Sequence, residues 1–231
     1  QSVGRVLETL RKTKLEQNTL VFFLSDNGAS DQPMNSALDK PGQTWRLDGT
    51  ITRIGNVPDI MPGPADNFVT AGPAWSNVSN TPFRQHKNTD FEGGIATPLI
   101  ICWPGVITQA GAITHEPGHI ADIMATCLDV AGVEYPTEFN GRKVQPLVGR
   151  SLQPVFHGGP RAPGGVLAWG TSGSCAMRSG RWKLVAAKDG PWELYDFTTD
   201  RTELSDLSKK NPDVVKDLAA KWQQWIGKGG P

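Results

Sequence analysis

The residues of this sequence best suited to chemistry are one lysine and one acid–amide pair. Lys87 lies in the stretch 80–105, NTPFRQHKNTDFEGGIATPLIICWPG, ahead of Glu92-Gly93-Gly94 and an apolar run that closes on Trp103-Pro104-Gly105. A lysine feeding into Glu-Gly-Gly just before a buried strand reads as a cation delivered by a loop to the mouth of a sheet, although most lysines in polar loops are simply solvated. Asp26-Asn27-Gly28 follows the run TLVFFLS at 19–25. A carboxylate beside an amide carbonyl offers two hard oxygen donors to a calcium or magnesium ion. The same tripeptide is a strong turn former, but no alternating strand follows it to complete a hairpin. His115-Glu116-Pro117-Gly118-His119 has the letters of the zinc motif H-E-x-x-H, which works only when one helix holds both imidazoles on one face. Pro117 and Gly118 interrupt that spacing, and Pro117 suits the first turn of the helix that follows.

The elements that must position these groups are legible in outline. Val3, Val6, Leu7 and Leu10 recur at helical spacing and predict an amphipathic helix over 2–13. The run 19–25 is continuous rather than alternating, as in a parallel strand covered on both faces, and 98–103 is a second buried strand stopped by Pro-Gly. Ligands in open α/β sheets gather at the carboxyl ends of strands, where Asp26 and Asn27 fall. Residues 29–82 crowd Pro, Gly, Asn and Asp around isolated aromatics at Trp45, Phe68 and Trp75, a composition that favours a packed lid or binding wall over disorder. Ile120, Ile123, Met124, Cys127, Leu128 and Ala131 mark the expected buried face of a helix ended by Gly132.

Residues 133–165, rich in Pro and Gly, read as a boundary. Beyond it 166–171, 174–178, 181–187 and 192–197 read as strands, with Ser179-Gly180 and Asp189-Gly190 as turns, so antiparallel hairpins are expected. Asn211 and Pro212 open a closing helix whose apolar face is Val215, Leu218, Trp222, Trp225 and Ile226. Asn77-Val78-Ser79 fits a glycosylation sequon, a tripeptide common by chance.

Composition excludes some partners. Lys+Arg and Asp+Glu balance at 23 each, so no global field attracts nucleic acid or anionic lipid. At 231 residues the chain holds one sizeable core, or a core and a small second unit. No apolar run approaches bilayer-crossing length, and the opening QSVGRVLETLRKTKLEQ lacks the apolar block of a signal peptide. Three cysteines are too few for a disulfide framework, and Cys102 and Cys127, in apolar surroundings, read as core thiols. The chain begins with Gln1 rather than methionine, which reads as processing or truncation.

Four ordered motifs, TLVFFLSDNGA, then SNTPFR-x-x-K-x-x-x-x-EGGIATPLI-x-x-WPG, then IADIMATCLDVAG, then RSGRWKLV with WELYDF and DRTEL, resemble the C-terminal part of type I sulfatases, members of the alkaline phosphatase superfamily. The similarity covers nearly the whole chain. It implies an α/β fold, with 1–135 as the C-terminal part of a catalytic domain whose mixed sheet is sandwiched by helices. Residues 136–165 would then connect to a small α+β subdomain over 166–231, a four-stranded antiparallel sheet with a closing helix. The resemblance further implies that Asp26 and Asn27 are late ligands of an active-site calcium ion, with magnesium possible in its place, and that Lys87 contacts the sulfate group. Such a cation and a fixed ammonium stabilise the charge that sulfate ester cleavage moves onto the sulfuryl and bridging oxygens. His86 has no counterpart.

The resemblance also has gaps. The family's nucleophile is a formylglycine made from the cysteine of a C-x-P/A-x-R core. Cys102 is followed by Pro104 but has Val106 in the arginine place, and neither Cys127 nor Cys175 fits. The early aspartates of the metal site and the leaving-group histidine find no match either. The expectation is therefore the C-terminal part of a larger sulfuric ester hydrolase, silent alone, periplasmic or secreted like its relatives. Its partners would be a sulfated small molecule or glycan and the missing N-terminal half, which carries the formylglycine. A phosphodiesterase or phosphonate hydrolase of the same superfamily, and a non-catalytic remnant that holds a sulfated glycan, are the alternatives. After Trp169, where related enzymes often carry an acid and a histidine, this chain has Gly170-Thr171-Ser172-Gly173, which implies an altered substrate preference if that loop lines the mouth. Alone, the chain is expected to expose sheet edges and apolar faces and to be poorly soluble.

Overall fold

The computed structural model describes residues 1–32, 46, 48–49, 52–56, 58, 61–161, 166–171 and 173–227; Trp45 and Ser172 lie outside them. In chain order the elements are α1 (Ser2–Lys12), β1 (Val21–Leu24), β2 (Arg53–Ile54), β3 (Asn67–Phe68), α2 (Gly72–Asn80), α3 (Glu92–Ile95), β4 (Leu99–Cys102), α4 (Ala121–Ala131), β5 (Glu138–Phe139), β6 (Arg142–Lys143), α5 (Gln153–Phe156), β7 (Leu167–Thr171), β8 (Ser174–Ser179), β9 (Trp182–Ala186), β10 (Glu193–Asp196) and α6 (Pro212–Gly227). Two compact units result, Gln1–Leu24 with Leu99–Gly165, and Ser25–Pro98 with Val166–Pro231. Phe91 and Glu92 are buried in the unit that contains the four-stranded sheet.

In the first unit β1 pairs with β4 in antiparallel register, Val21 opposite Cys102 and Leu24 opposite Leu99. The expected parallel, doubly covered strand is corrected on both counts. A continuous apolar run says that both faces are apolar, not which way the partner runs, and Phe23 and Ile100 are exposed. The apolar stripe expected for α4 is not covered by the described residues, Ile120 being 63% and Met124 54% exposed in this chain. The face of α4 that is buried carries Asp122, Ala125 and Thr126. Asp122 binds Arg161 at 3.0 Å and accepts the amides of His119 and Arg150 at 2.7 and 2.8 Å, while the Thr126 hydroxyl accepts the Leu152 amide at 2.9 Å. A paired, hydrogen-bonded acid tolerates burial that a lone charge would not. Pro117 lies outside α4, which begins at Ala121, and His115 and His119 share no helix. Gly132 ends α4 with φ 65°, as expected of an αL cap. Cys102 and Cys127, expected as core thiols, are exposed in this chain.

The second unit holds the sheet β10-β9-β8-β7, antiparallel throughout as the turn residues predict. Gly180 (φ 55°) and Asp189 (φ 58°) supply the left-handed turn conformations. One side of the sheet packs Ala176, Val185, Tyr195 and Phe197 with Phe91 and Trp169. The other packs Leu184 and Leu194 against Leu218 of α6, with Val214, Val215 and Trp182 around them. Trp222 of α6 meets Trp192 edge-on at 5.8 Å. Helix α2 was not anticipated within 29–82; Pro73 in its first turn was the available signal.

A turn at Asp200 closes this sheet. Its carboxylate accepts the amides of Thr202, Leu204 and Ser205 and the Thr202 hydroxyl. Burial alone would raise this carboxyl, but those donors outweigh it and hold it below the usual carboxylate range. A carboxyl depressed by folding contributes stability above its unfolded value, near 3.9, and loses it as pH falls through the folded value. Asp200→Asn is therefore expected to lower the thermal midpoint at pH 7, and the gap to wild type to close below about pH 4. Melting curves at pH 7 and pH 3 check this; a gap of equal size at both would refute the assignment.

Candidate active site

Asp26, Asn27 and Lys87 line one cavity of about 560 Å³ in the second unit. Three strands of backbone meet there. The amide of Gly28 donates to the Gly94 carbonyl at 2.9 Å, that of Lys87 to Ala29 at 3.0 Å, and that of Gly93 to Arg84 at 2.9 Å. Asn80, the last residue of α2, joins two of them through its side chain: Oδ1 accepts the Ala29 amide at 2.9 Å and Nδ2 donates to Gln85 at 3.1 Å. The sequence motif contained Asn80 but suggested no role for it. Gly28 and Gly93 are required by space, since a Cβ on either would stand 1.8 or 2.2 Å from a backbone oxygen.

The three candidate groups are left available by this packing. The Asn27 Nδ2 donates to Gly28 at 2.9 Å, and its Oδ1 has no partner among the described residues. Neither the Asp26 carboxylate nor the half-buried Lys87 ammonium has a side-chain partner among the described residues. An anionic and a neutral oxygen donor are the chemistry a hard divalent cation takes, but two donors are fewer than the six to eight oxygens calcium takes. Among the described residues no group of three His, Cys, Asp or Glu completes such a shell. His86 is held away from this role, its Nδ1 lying 3.3 Å from Asp31 Oδ1 and 3.0 Å from the Lys87 carbonyl. Burial and the nearby Asp90 push the Cys175 thiol up, which makes it a poor nucleophile.

Behind the cavity lies a charged cluster that the sequence reading did not anticipate. Lys183 of β9, wholly buried, binds Glu92 Oε1 at 3.0 Å and Glu203 Oε1 at 2.7 Å, and Arg201 binds the other Glu92 oxygen at 3.1 Å. The second Glu203 oxygen accepts the Glu92 amide at 2.8 Å. The acid of Glu-Gly-Gly is thus anchored to the sheet, and its two glycines carry the cavity loops. A lysine inside an otherwise apolar strand, Trp182-Lys183-Leu184-Val185, was the available signal. Arg84 adds a further tie, donating to the Glu203 carbonyl at 2.9 Å and to the Tyr195 hydroxyl at 3.0 Å. Burial first, then the hydrogen bond to Glu193, holds the Tyr195 phenol well above its ordinary value.

A sequence profile of the sulfatase family matches residues 1–133. The chain is 31% identical over 230 residues to a Schizosaccharomyces pombe protein described as an uncharacterized sulfatase, covering 96% of this chain and 40% of that one. It is 32% identical over 155 residues to an arylsulfatase of Klebsiella aerogenes, covering 66% of this chain and 31% of that enzyme. Among solved structures, Ps i-CgsB in complex with k-i-k-neocarrahexaose superposes with a TM-score of 0.63 at 23% identity, over 96% of this chain and 40% of that one, a likeness of fold. The α/β architecture with its four-stranded antiparallel sheet and closing helix is that of these proteins. The chain belongs to the sulfatase family, whose members in general use a formylglycine and a divalent metal. It spans 40% or less of the length of these relatives.

Proposed function

We propose that the protein is a sulfuric ester hydrolase and that this chain supplies part of its active site. The observation that carries the reading is the convergence of a half-buried ammonium, a carboxylate and an amide oxygen, without side-chain partners among the described residues, on one cavity in a chain of the sulfatase family. Asp26 and Asn27 would hold the divalent cation, calcium by preference, with the remaining donors and the formylglycine lying outside this chain. That cation supplies charge neutralisation at the sulfuryl oxygens when bound. Lys87 would hold the sulfate group and oppose the negative charge that grows as the ester bond breaks. At 4 Å its charge is worth about 4 kcal/mol under an effective dielectric near 20, against about 1 in bulk water. The half-buried setting is therefore what gives this lysine its value. Sulfated carbohydrate is the substrate class favoured by the oligosaccharide held by Ps i-CgsB, and aryl sulfates by the Klebsiella relative. Among the described residues no helix is long and apolar enough to cross a membrane; export to the periplasm or medium is proposed from the family alone.

The test uses the full-length protein that carries this chain. Wild type is expected to hydrolyse 4-nitrophenyl sulfate faster than a matched phosphonate ester, to lose activity in chelator and to regain it with calcium. Lys87→Ala is expected to cut kcat/KM for the sulfate about a hundredfold without moving the unfolding midpoint. Undiminished turnover in Lys87→Ala would remove its assigned role, and a preference for the phosphonate would reassign the reaction.

A further inference from the structure

We propose that Asn80 is a positioning residue for Lys87, fixing the loop that carries the ammonium at a set spacing from Asp26 and Asn27. The inference rests on the hydrolase reading above for what Lys87 does, and adds which side chain places it. Asn80 ends helix α2 and lines the same cavity as Ala29 and Lys87. Its amide group closes a ring of hydrogen bonds. Oδ1 accepts the Ala29 amide at 2.9 Å, the Ala29 carbonyl accepts the Lys87 amide at 3.0 Å, and Nδ2 donates to the Gln85 carbonyl at 3.1 Å. Ala29 is thereby gripped at both of its backbone groups, and the loop is gripped on either side of His86. The partners settle which way the side chain points, since a backbone N–H only donates and a carbonyl only accepts. Aspartate would lack the donor, and leucine would fill a similar space with neither group.

The loop is one that needs holding. Gln85 and Asn88, on either side of Lys87, have φ of 68° and 70°, in the left-handed region that residues other than glycine adopt at a cost. Such a conformation persists only where the surroundings over-determine it. Two further carbonyls of the loop are taken from within the stretch 84–93: Arg84 by the Gly93 amide at 2.9 Å and His86 by the Thr89 hydroxyl at 2.8 Å. Those bonds shape the loop, whereas the Asn80 ring ties it to the segment that begins Asp26-Asn27-Gly28-Ala29. One side chain at the end of a helix therefore sets the distance between the two oxygen donors and the root of the lysine. A charge on a flexible stem is worth most when its root is fixed, because small misplacements of a charged group are expensive in rate. Asn80 acts through the backbone of Lys87, not on the reacting atoms.

The experiment uses the full-length protein as wild type, Asn80→Ala, Lys87→Ala and the double variant, with Asn77→Ala as the control, since the Asn77 side chain braces α2 itself by donating to the Pro73 carbonyl at 2.8 Å. Hydrogen exchange read by mass spectrometry is expected to quicken about tenfold over 83–90 in Asn80→Ala. Exchange over 182–186 in β9 should stay unchanged, and Asn77→Ala should match wild type in both segments. Turnover of 4-nitrophenyl sulfate is expected to fall about thirtyfold in Asn80→Ala, and the double variant to match Lys87→Ala. Exchange over 83–90 equal to wild type overturns the proposal. So does a rise that reaches 182–186 or appears in Asn77→Ala, which marks a general folding role. A further loss of turnover in the double variant beyond Lys87→Ala also overturns it, because Asn80 would then act by a route other than Lys87. Faster exchange confined to 83–90, in a protein whose wild type hydrolyses no sulfate, would keep the positioning and sink the hydrolase reading instead.

Discussion

Gly28→Ala is expected to dismantle the candidate site, whereas Gly4→Ala, within α1, is expected to be neutral or stabilising. A Cβ at Gly28 would stand 1.8 Å from the Gly93 carbonyl oxygen, 2.8 Å from its carbon and 3.2 Å from the Gly94 Cα. All three are backbone atoms, so no rotamer change relieves the overlap and the two loops must part. Parting breaks the bond from the Gly28 amide to Gly94 and pulls on the next two, Ala29 to Asn80 and Lys87 to Ala29. Those bonds hold Asp26, Asn27 and Lys87 on one cavity. Overpacking costs about 1–3 kcal/mol and each buried polar group left unpaired about 1–3 more, so the total should exceed about 4 kcal/mol. A Cβ at Gly4 meets nothing within 4 Å, and alanine is the better helix former by about 1 kcal/mol. Urea unfolding and 4-nitrophenyl sulfate turnover of the two full-length variants give the comparison. A Gly28→Ala protein with the wild-type midpoint and turnover would mean that the loops do not approach as described.

What the sequence shows and hides follows from the range of the interactions. The four-stranded sheet was legible because its cues are local: Gly180 and Asp189 sit at the turns, with the left-handed φ that such turns demand. The end of α4 at Gly132 was legible for the same reason. The pairing of β1 with β4 was not, because a run apolar on both faces does not encode the direction of a strand far away in the chain. The ion pair of Asp122 with Arg161 under α4 was not legible either, because its two partners lie far apart in the chain. Of the residues lining the candidate cavity, Asp26, Asn27 and Lys87 stood out by residue type and motif. Asn80 and Lys183 did not, since an amide before a proline-containing turn and a lysine in a strand acquire meaning only through Ala29, Gln85, Glu92 and Glu203.

Lys183→Ala should be the most destabilising change away from the cavity itself, and one that acid relieves. The lysine and Glu203 are wholly buried and Glu92 is 5% exposed, with the Phe197 and Trp169 rings 5.5 and 5.8 Å from the ammonium. Taking the ammonium away leaves Glu92 with Arg201, but among the described residues leaves the Glu203 carboxylate with only the Glu92 amide. Removing one partner of a buried ion pair costs about 3–5 kcal/mol, because the other charge stays behind in a poor solvent. Burial already raises the Glu203 carboxyl, against the opposing pull of Lys183. Without the lysine it rises further. A carboxyl raised by folding favours the folded state below its unfolded value, near 4.3, and that advantage fades as pH climbs through the folded value. The deficit of Lys183→Ala relative to wild type should therefore be largest at pH 7 and shrink toward pH 4. Lys183→Met with Glu203→Gln removes both charges, keeps most of the volume and leaves an oxygen for the Glu92 amide, so it should recover most of the loss. Unfolding midpoints of the three full-length proteins from pH 4 to 7 read all of this. A double variant no better than Lys183→Ala, or a deficit flat with pH, would show that the lysine acts through packing rather than charge.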